Sequence, residues 1–284
     1  MYDFLIFYQY GQSLWRGEYR SLYPLPLAGY SALWGFLPLP YSMAAFFLLN
    51  LALFVSIFKR KSLMWMFYVP AVQVFIEGQL DIQSLWLLMR GTPVALALMT
   101  LKPQVFVALG LPKLLSDRKL WPGFLKWVAV LYLPVTLARP TWMLEWLRQM
   151  DDGRVAANNS ASLWSLLSFT PPYWIYLAVF GVVLLLAVKR PHFSALLLAF
   201  NPAIRSTAYT VIAGPQAANG AWLLIPLSWV CLAWSRYVGV EWPFGVLGVG
   251  AALLHSAAWT RVAWPNLLRL FAEARNVGEK HPGG

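Results

Sequence analysis

Lys102 stands between two apolar runs, beside Pro103 and far from other basic side chains. A lone cation in that setting has two uses. It snorkels to the lipid headgroups, or it holds a phosphate or pyrophosphate at the membrane surface. The adjacent proline, which breaks a helix, favours the second use. Arg205 interrupts a later apolar segment in the same way, next to Asn201-Pro202. It is either a second cation for a phosphate or the partner of a buried acid. Asp3 opens an aromatic run that reaches Tyr8. A carboxylate against apolar surface has its pKa raised, which suits a general base, and its bland alternative is a helix N-cap. Glu77, Gln79 and Asp81 sit together at one membrane edge, where they either bind a sugar or end two helices.

Other chemistries find no support. The chain has no P-loop, dinucleotide fingerprint, nucleophile elbow or zinc motif. Cys231 is the sole cysteine, which excludes an intramolecular disulfide. His192, His255 and His281 are scattered without metal-ligand spacing, so no metal and no cofactor are expected. Asp151 and Asp152 read as a solvated loop. The triplet Asn158-Asn159-Ser160 matches a glycosylation sequon too short to carry weight.

Residues of this kind need a scaffold, and composition says which. The chain is 60% hydrophobic and 12% charged, against about 25% charged in a soluble domain. Too few charges remain to coat a soluble surface, so lipid must solvate part of it. The net charge is +11, but the basic residues cluster between apolar runs, at Lys59-Arg60-Lys61, from Lys113 to Lys119, and at Lys189-Arg190. That is the positive-inside pattern and not a nucleic-acid footprint. Sixteen Trp and thirteen Tyr suit two aromatic belts. The expected fold is all-α and polytopic, with roughly seven to nine membrane segments, some of them short re-entrant or broken helices. The expected location is the plasma membrane, crossed several times.

The segments follow in order. Residues 1–28 read as an outer-face amphipathic helix and loop. Residues 29–58 form an apolar segment that ends at a cytoplasmic Lys59-Arg60-Lys61, and 62–78 return outward. A short apolar piece, 80–89, stops at Arg90. Residues 92–115 carry a basic residue at each end and Lys102-Pro103 near the middle. This is a re-entrant hairpin or a kinked span, and equal charge at both ends favours the hairpin. Residues 121–138 cross outward, and 140–172 form a polar outer loop with an amphipathic helix near 141–150. Residues 173–188 cross inward, 192–214 are interrupted by Asn201-Pro202 and Arg205, and 221–235 and 242–259 are two more spans. The whole, 1–284, reads as one membrane domain: 1–28 outside, 29–139 membrane helices, 140–172 outer loop, 173–263 membrane helices and 264–284 a polar tail.

Three stretches of the first 120 residues resemble glycosyltransferase family 87. They are Asp3-Phe4 to Tyr8 with Gly11 to Gly17, Tyr23-Pro24-Leu25-Pro26 and Leu37-Pro38-Leu39-Pro40; then Gly78-Gln79-Leu80-Asp81; then Leu101-Lys102-Pro103-Gln104. The resemblance implies a C-type membrane glycosyltransferase. Such an enzyme takes a hexose or pentose, mannose-type favoured, from a polyprenyl-phosphate carrier and passes it to a lipid or glycan acceptor on the outer face. It implies Asp3 as the catalytic base, Lys102 and Arg205 as donor-phosphate ligands, and Tyr8, Gln79, Asp81 and Gln104 as sugar or acceptor contacts. Members of that family carry a membrane helix ahead of the Asp-Phe motif, so the reading expects a chain that lacks it. The alternatives are a transporter or flippase of lipid-linked sugars, whose broken helices carry charges at mid-depth, and a non-catalytic membrane subunit.

Overall fold

Proline placement decides where the helices of this chain begin. Proline lacks an N–H and clashes with the carbonyl four residues earlier, so it sits comfortably only in a first turn. The computed structural model describes residues 2–18, 24–151, 161–167, 172–190, 193–201 and 221–255. Helix α1 spans Tyr2–Trp15. Helix α2 (Leu25–Gly35) starts behind Pro24, and α3 (Leu39–Phe58) starts behind Pro38. The apolar segment expected over 29–58 is therefore two helices, and the expected loop before it is helical from Leu25 onward. Two prolines at 38 and 40 make the break.

A second correction concerns 62–78. Lys59 takes a left-handed φ of 50°, and a 3-10 turn over Lys59–Lys61 leads into the short α4 (Ser62–Trp65). Helix α5 (Val69–Glu77) follows after a break at Met66–Tyr68. Pro70 causes this break, because a continuous helix would bring its ring against the carbonyl of Met66. Ring contacts between Phe58 and Trp65, Phe54 and Phe75, and Phe47 and Phe75 run α4 and α5 back along α3.

Helix α6 (Asp81–Arg90) leads into the segment around Lys102. Helix α7 (Pro93–Met99) is capped by Thr92, whose hydroxyl accepts from the Ala95 N–H. It ends in a turn at Lys102. A short α8 (Pro103–Val105), a π-helical turn over Phe106–Gly110 and α9 (Leu111–Ser116) run back. The two ends meet: the Lys113 ammonium donates to the Leu88 carbonyl at 3.4 Å, and its side chain fills the space a Cβ on Gly91 would need. Residues 92–115 thus form a hairpin with Lys102 at the tip.

Helices α10 (Trp121–Ala138) and α11 (Trp142–Asp151) come next. After them come α12 (Tyr173–Lys189), α13 (Ser194–Ala199), α14 (Leu224–Val238) and α15 (Gly245–His255). Among the described residues the chain is all helical, with no strand.

Two helical stretches, Leu39–Trp65 and Arg118–Ala138, are long and apolar enough to cross a membrane. Of the most apolar 18 residues in each, only 28% in the first and 6% in the second are buried within the molecule. The core helix of a soluble protein would be mostly covered, and most of the apolar surface of these two is left uncovered by the described residues. The main core gathers α3, α5, α6, α7, α9, α13 and α15 around Phe54, Tyr68, Leu96 and Leu247. A smaller core holds Phe4, Phe7, Leu27, Phe46 and Leu80, and it fixes the start of α1 against α3.

Candidate functional site

Three local devices bring distant residues to one place. Gly78 closes α5 in the left-handed conformation, φ 75°, which few other residues adopt without strain. The chain turns there and delivers Gln79 ahead of Asp81, the first residue of α6. Lys102 stands at the hairpin tip, its N–H bonded to the Met99 carbonyl at 3.0 Å. Phe4, packed on Phe46 with ring centroids 4.7 Å apart, holds the first turn of α1 against α3.

The Lys102 ammonium donates to both carboxylate oxygens of Asp81 at 3.1 Å, and to Gln79 Oε1 at 3.3 Å. Both charged side chains are almost fully withdrawn from solvent, at 3% and 0% exposure. Desolvation of two such charges is costly and is offset only by good geometry and further hydrogen bonds. The two-pronged contact and the Gln79 amide supply these.

Asp3 belongs to the same electrostatic unit. Partial burial raises its carboxyl above the ordinary range, the Lys102 charge opposes that rise, and the Asp81 charge adds to it. With all three groups ionised the cluster carries a net charge of −1. One proton taken up by Asp3 makes it neutral, which is the behaviour a general base needs.

The sequence-expected residues divide as follows. Gln79, Asp81 and Lys102 come together, and Asp3 lies close enough for the charges of Lys102 and Asp81 to act on its carboxyl. Asp81 meets Lys102 rather than an open sugar-binding surface, and Lys102 meets Asp81 rather than solvent. Tyr8 packs beside Phe4, but its hydroxyl turns away, donating to the Leu37 carbonyl at 3.1 Å and accepting from Gln12 Nε2 at 3.0 Å. Gln104 follows the tip, and its carbonyl accepts from Asn201 Nδ2 at 3.2 Å, which ties the hairpin to the chain end of α13. Arg205 lies outside the described residues.

The sequence reading passed over three members of the site. Tyr30 donates to Gln83 Oε1 at 2.6 Å, Gln83 Nε2 donates to Asn50 Oδ1 at 3.1 Å, and Asn50 Nδ2 donates to the Gln79 carbonyl at 3.4 Å. This chain of hydrogen bonds runs from α2 through α6 and α3 to the residue that holds Lys102. Asn50 carried a signal: it is a lone amide inside the apolar run of α3, 1% exposed.

Among the described residues no three His, Cys, Asp or Glu side chains are grouped so that they could hold a metal ion. The arrangement offers a partly exposed base beside a buried ion pair, backed by amides that can donate to hydroxyl or phosphate oxygens. No family model, no curated protein and no solved structure matches this chain.

Proposed function

We propose that the chain is a multi-pass membrane glycosyltransferase that moves a hexose or pentose from a polyprenyl-phosphate carrier to a lipid or glycan acceptor at the outer face. One observation carries the reading. Gln79, Asp81 and Lys102 come from two stretches and bond to one another, and Asp3, from a third, lies within reach of the Lys102 and Asp81 charges. The multi-pass part rests on apolar side chains left exposed beyond the two long helices. Leu177, Val182 and Leu185 project from α12, and Trp229, Val230 and Trp234 from α14. Lipid would cover them.

In this reading Asp3 takes the proton of the acceptor hydroxyl as that oxygen bonds to the anomeric carbon. The bond from that carbon to the phosphate oxygen breaks, the electron pair leaves with the phosphate, and the anomeric centre inverts. Lys102 counters the developing phosphate charge. For direct contact the ammonium must give up part of its bond to Asp81. Gln79 and Gln104 line the approach, and Arg205 is the second donor-phosphate ligand.

The test is sugar transfer by purified protein in lipid nanodiscs, with a panel of polyprenyl-phosphate sugars. Wild type transfers sugar from at least one donor, while Asp3→Asn and Lys102→Ala do not. Transfer undiminished in Asp3→Asn removes Asp3 from its role, and no transfer from any donor overturns the reading.

A further inference from the structure

At the far end of α1 from Asp3, about 20 Å away at 1.5 Å per residue, Gln12, Trp15, Arg16, Gly35 and Phe36 line a shallow open cleft. Trp15 is fixed there: its indole N–H donates to the Ala32 carbonyl at 2.8 Å, and its ring lies 6.1 Å from that of Phe36. Both rings nevertheless face outward, 63% and 74% exposed, and Leu33 and Tyr41 extend the apolar surface. Arg16 is exposed at its edge, and no carboxylate among the described residues pairs with it.

The cleft has a defined depth in the bilayer. Phe36 lies three residues ahead of the start of α3, a helix of 20 residues, which is about 30 Å long and matches the hydrocarbon thickness. Its other end carries Lys59, Arg60 and Lys61. Trp15, Phe36 and Tyr41 therefore sit at the opposite water–lipid boundary, where aromatic rings anchor membrane proteins. A guanidinium at that level with no carboxylate partner among the described residues faces the phosphate layer, and it binds phosphate oxygens with a forked pair of hydrogen bonds.

We infer that this cleft is a lipid site: Arg16 holds the phosphate of an anionic phospholipid while Trp15 and Phe36 flank its glycerol and upper acyl chains. The inference rests on the membrane reading and is independent of the transferase reading, because the cleft is separate from the Asp3 cluster.

Native mass spectrometry of the full chain in detergent, titrated with dioleoylphosphatidylglycerol, tests it. Wild type binds one lipid that Arg16→Gln binds about tenfold more weakly, the loss expected for charge-assisted hydrogen bonds. Arg16→Lys recovers part of the affinity, and Phe36→Ala also weakens binding. Dioleoylphosphatidylcholine, whose choline balances its phosphate, binds more weakly to wild type and is indifferent to Arg16→Gln. Equal phosphatidylglycerol affinity in wild type and Arg16→Gln overturns the inference. So does inorganic phosphate that competes away the lipid at micromolar concentration, which would mark a free-anion site. Each variant is first checked for recovery in the membrane fraction and for an unchanged melting curve. A wild-type protein extracted by alkaline carbonate would instead defeat the membrane reading itself.

Discussion

Lys102 and Asp81 form an ion pair with the ammonium 3.1 Å from each carboxylate oxygen and both side chains shut away from solvent. The pair joins the tip of the 92–115 hairpin to the first turn of α6. Removing one partner leaves an uncompensated buried charge, at a cost of about 3–5 kcal/mol. Lys102→Met and Asp81→Leu should each lower the melting temperature sharply. The double variant should regain most of the loss, because two apolar side chains have no charge left to desolvate. Thermal unfolding of the four proteins measures the coupling, and strict additivity would show that the contact contributes nothing.

Asp3 should behave differently, since it is only partly buried and holds no direct ion pair in the described contacts. Asp3→Asn should leave stability nearly unchanged while cutting transfer by about 10²–10⁴, the usual worth of a general base. The base acts when ionised, so transfer should rise with pH through its raised pKa. Lys102 lowers that pKa and Asp81 raises it. Lys102→Met should therefore raise the pH at which the Asp3 carboxyl ionises, read by its NMR titration because that variant does not transfer, and Asp81→Asn should lower it and move the acid limb of the rate profile to lower pH. Shifts in the same direction would place Asp3 outside the field of the pair.

The starts of α10 at 121 and α12 at 173 were legible, and the amphipathic helix near 141–150 is α11, Trp142–Asp151, but the proline-marked starts of α2, α3 and α5 were not. The fold-back of residues 92–115 was the favoured of two readings, hairpin or kinked span, because a basic residue stands at each end and Lys102-Pro103 breaks the middle. Other features were not legible. Hydropathy cannot see the breaks at Phe36–Pro38 and Met66–Tyr68, since the chain stays apolar through both. It reads burial and not backbone geometry, so one window covers two helices. Asp81 was read as a sugar contact because a carboxylate beside a turn is ambiguous until its partner is known. That partner lies 21 residues on, and only the hairpin brings it back. Tyr30 and Gln83 were passed over for the same reason.

The crossing of α1 and α2 gives a test of opposite signs from two glycines. A Cβ on Gly11 would run into the backbone carbonyl of Ser31, which cannot move without shifting α2. A Cβ on Gly29 meets open space on the exposed face of the same helix. Gly11→Ala should destabilise by about 1–3 kcal/mol through overpacking and should displace the first turn of α1, lowering transfer as well. Gly29→Ala should stabilise by about 0.5–1 kcal/mol through reduced chain entropy and better helix propensity. Melting curves decide both, and a neutral Gly11→Ala would mean that the helices cross elsewhere.

Glu241 should contribute to the pH dependence of stability. It lies between α14 and α15, where burial comes first and the neighbouring Glu77 second in pushing its carboxyl up, from 4.5 to about 7, against the pull of Arg236. Its Oε2 is buried and has no hydrogen-bond partner among the described residues. A raised acid pKa means that the folded state holds the proton more tightly than the unfolded chain. The protonated group costs the fold nothing at pH 4, and the penalty for ionising it grows as pH climbs from 4.5 to about 7, then levels off. Because the group is part-exposed, solvent screening reduces that penalty to on the order of 1–2 kcal/mol. Glu241→Gln cannot ionise, so it should melt with wild type at pH 4 and several degrees above it at pH 8. Arg236→Gln should do the reverse at pH 8 by removing the one opposing charge. Parallel melting curves of Glu241→Gln and wild type across that range would show that this carboxyl titrates as it does in the unfolded chain.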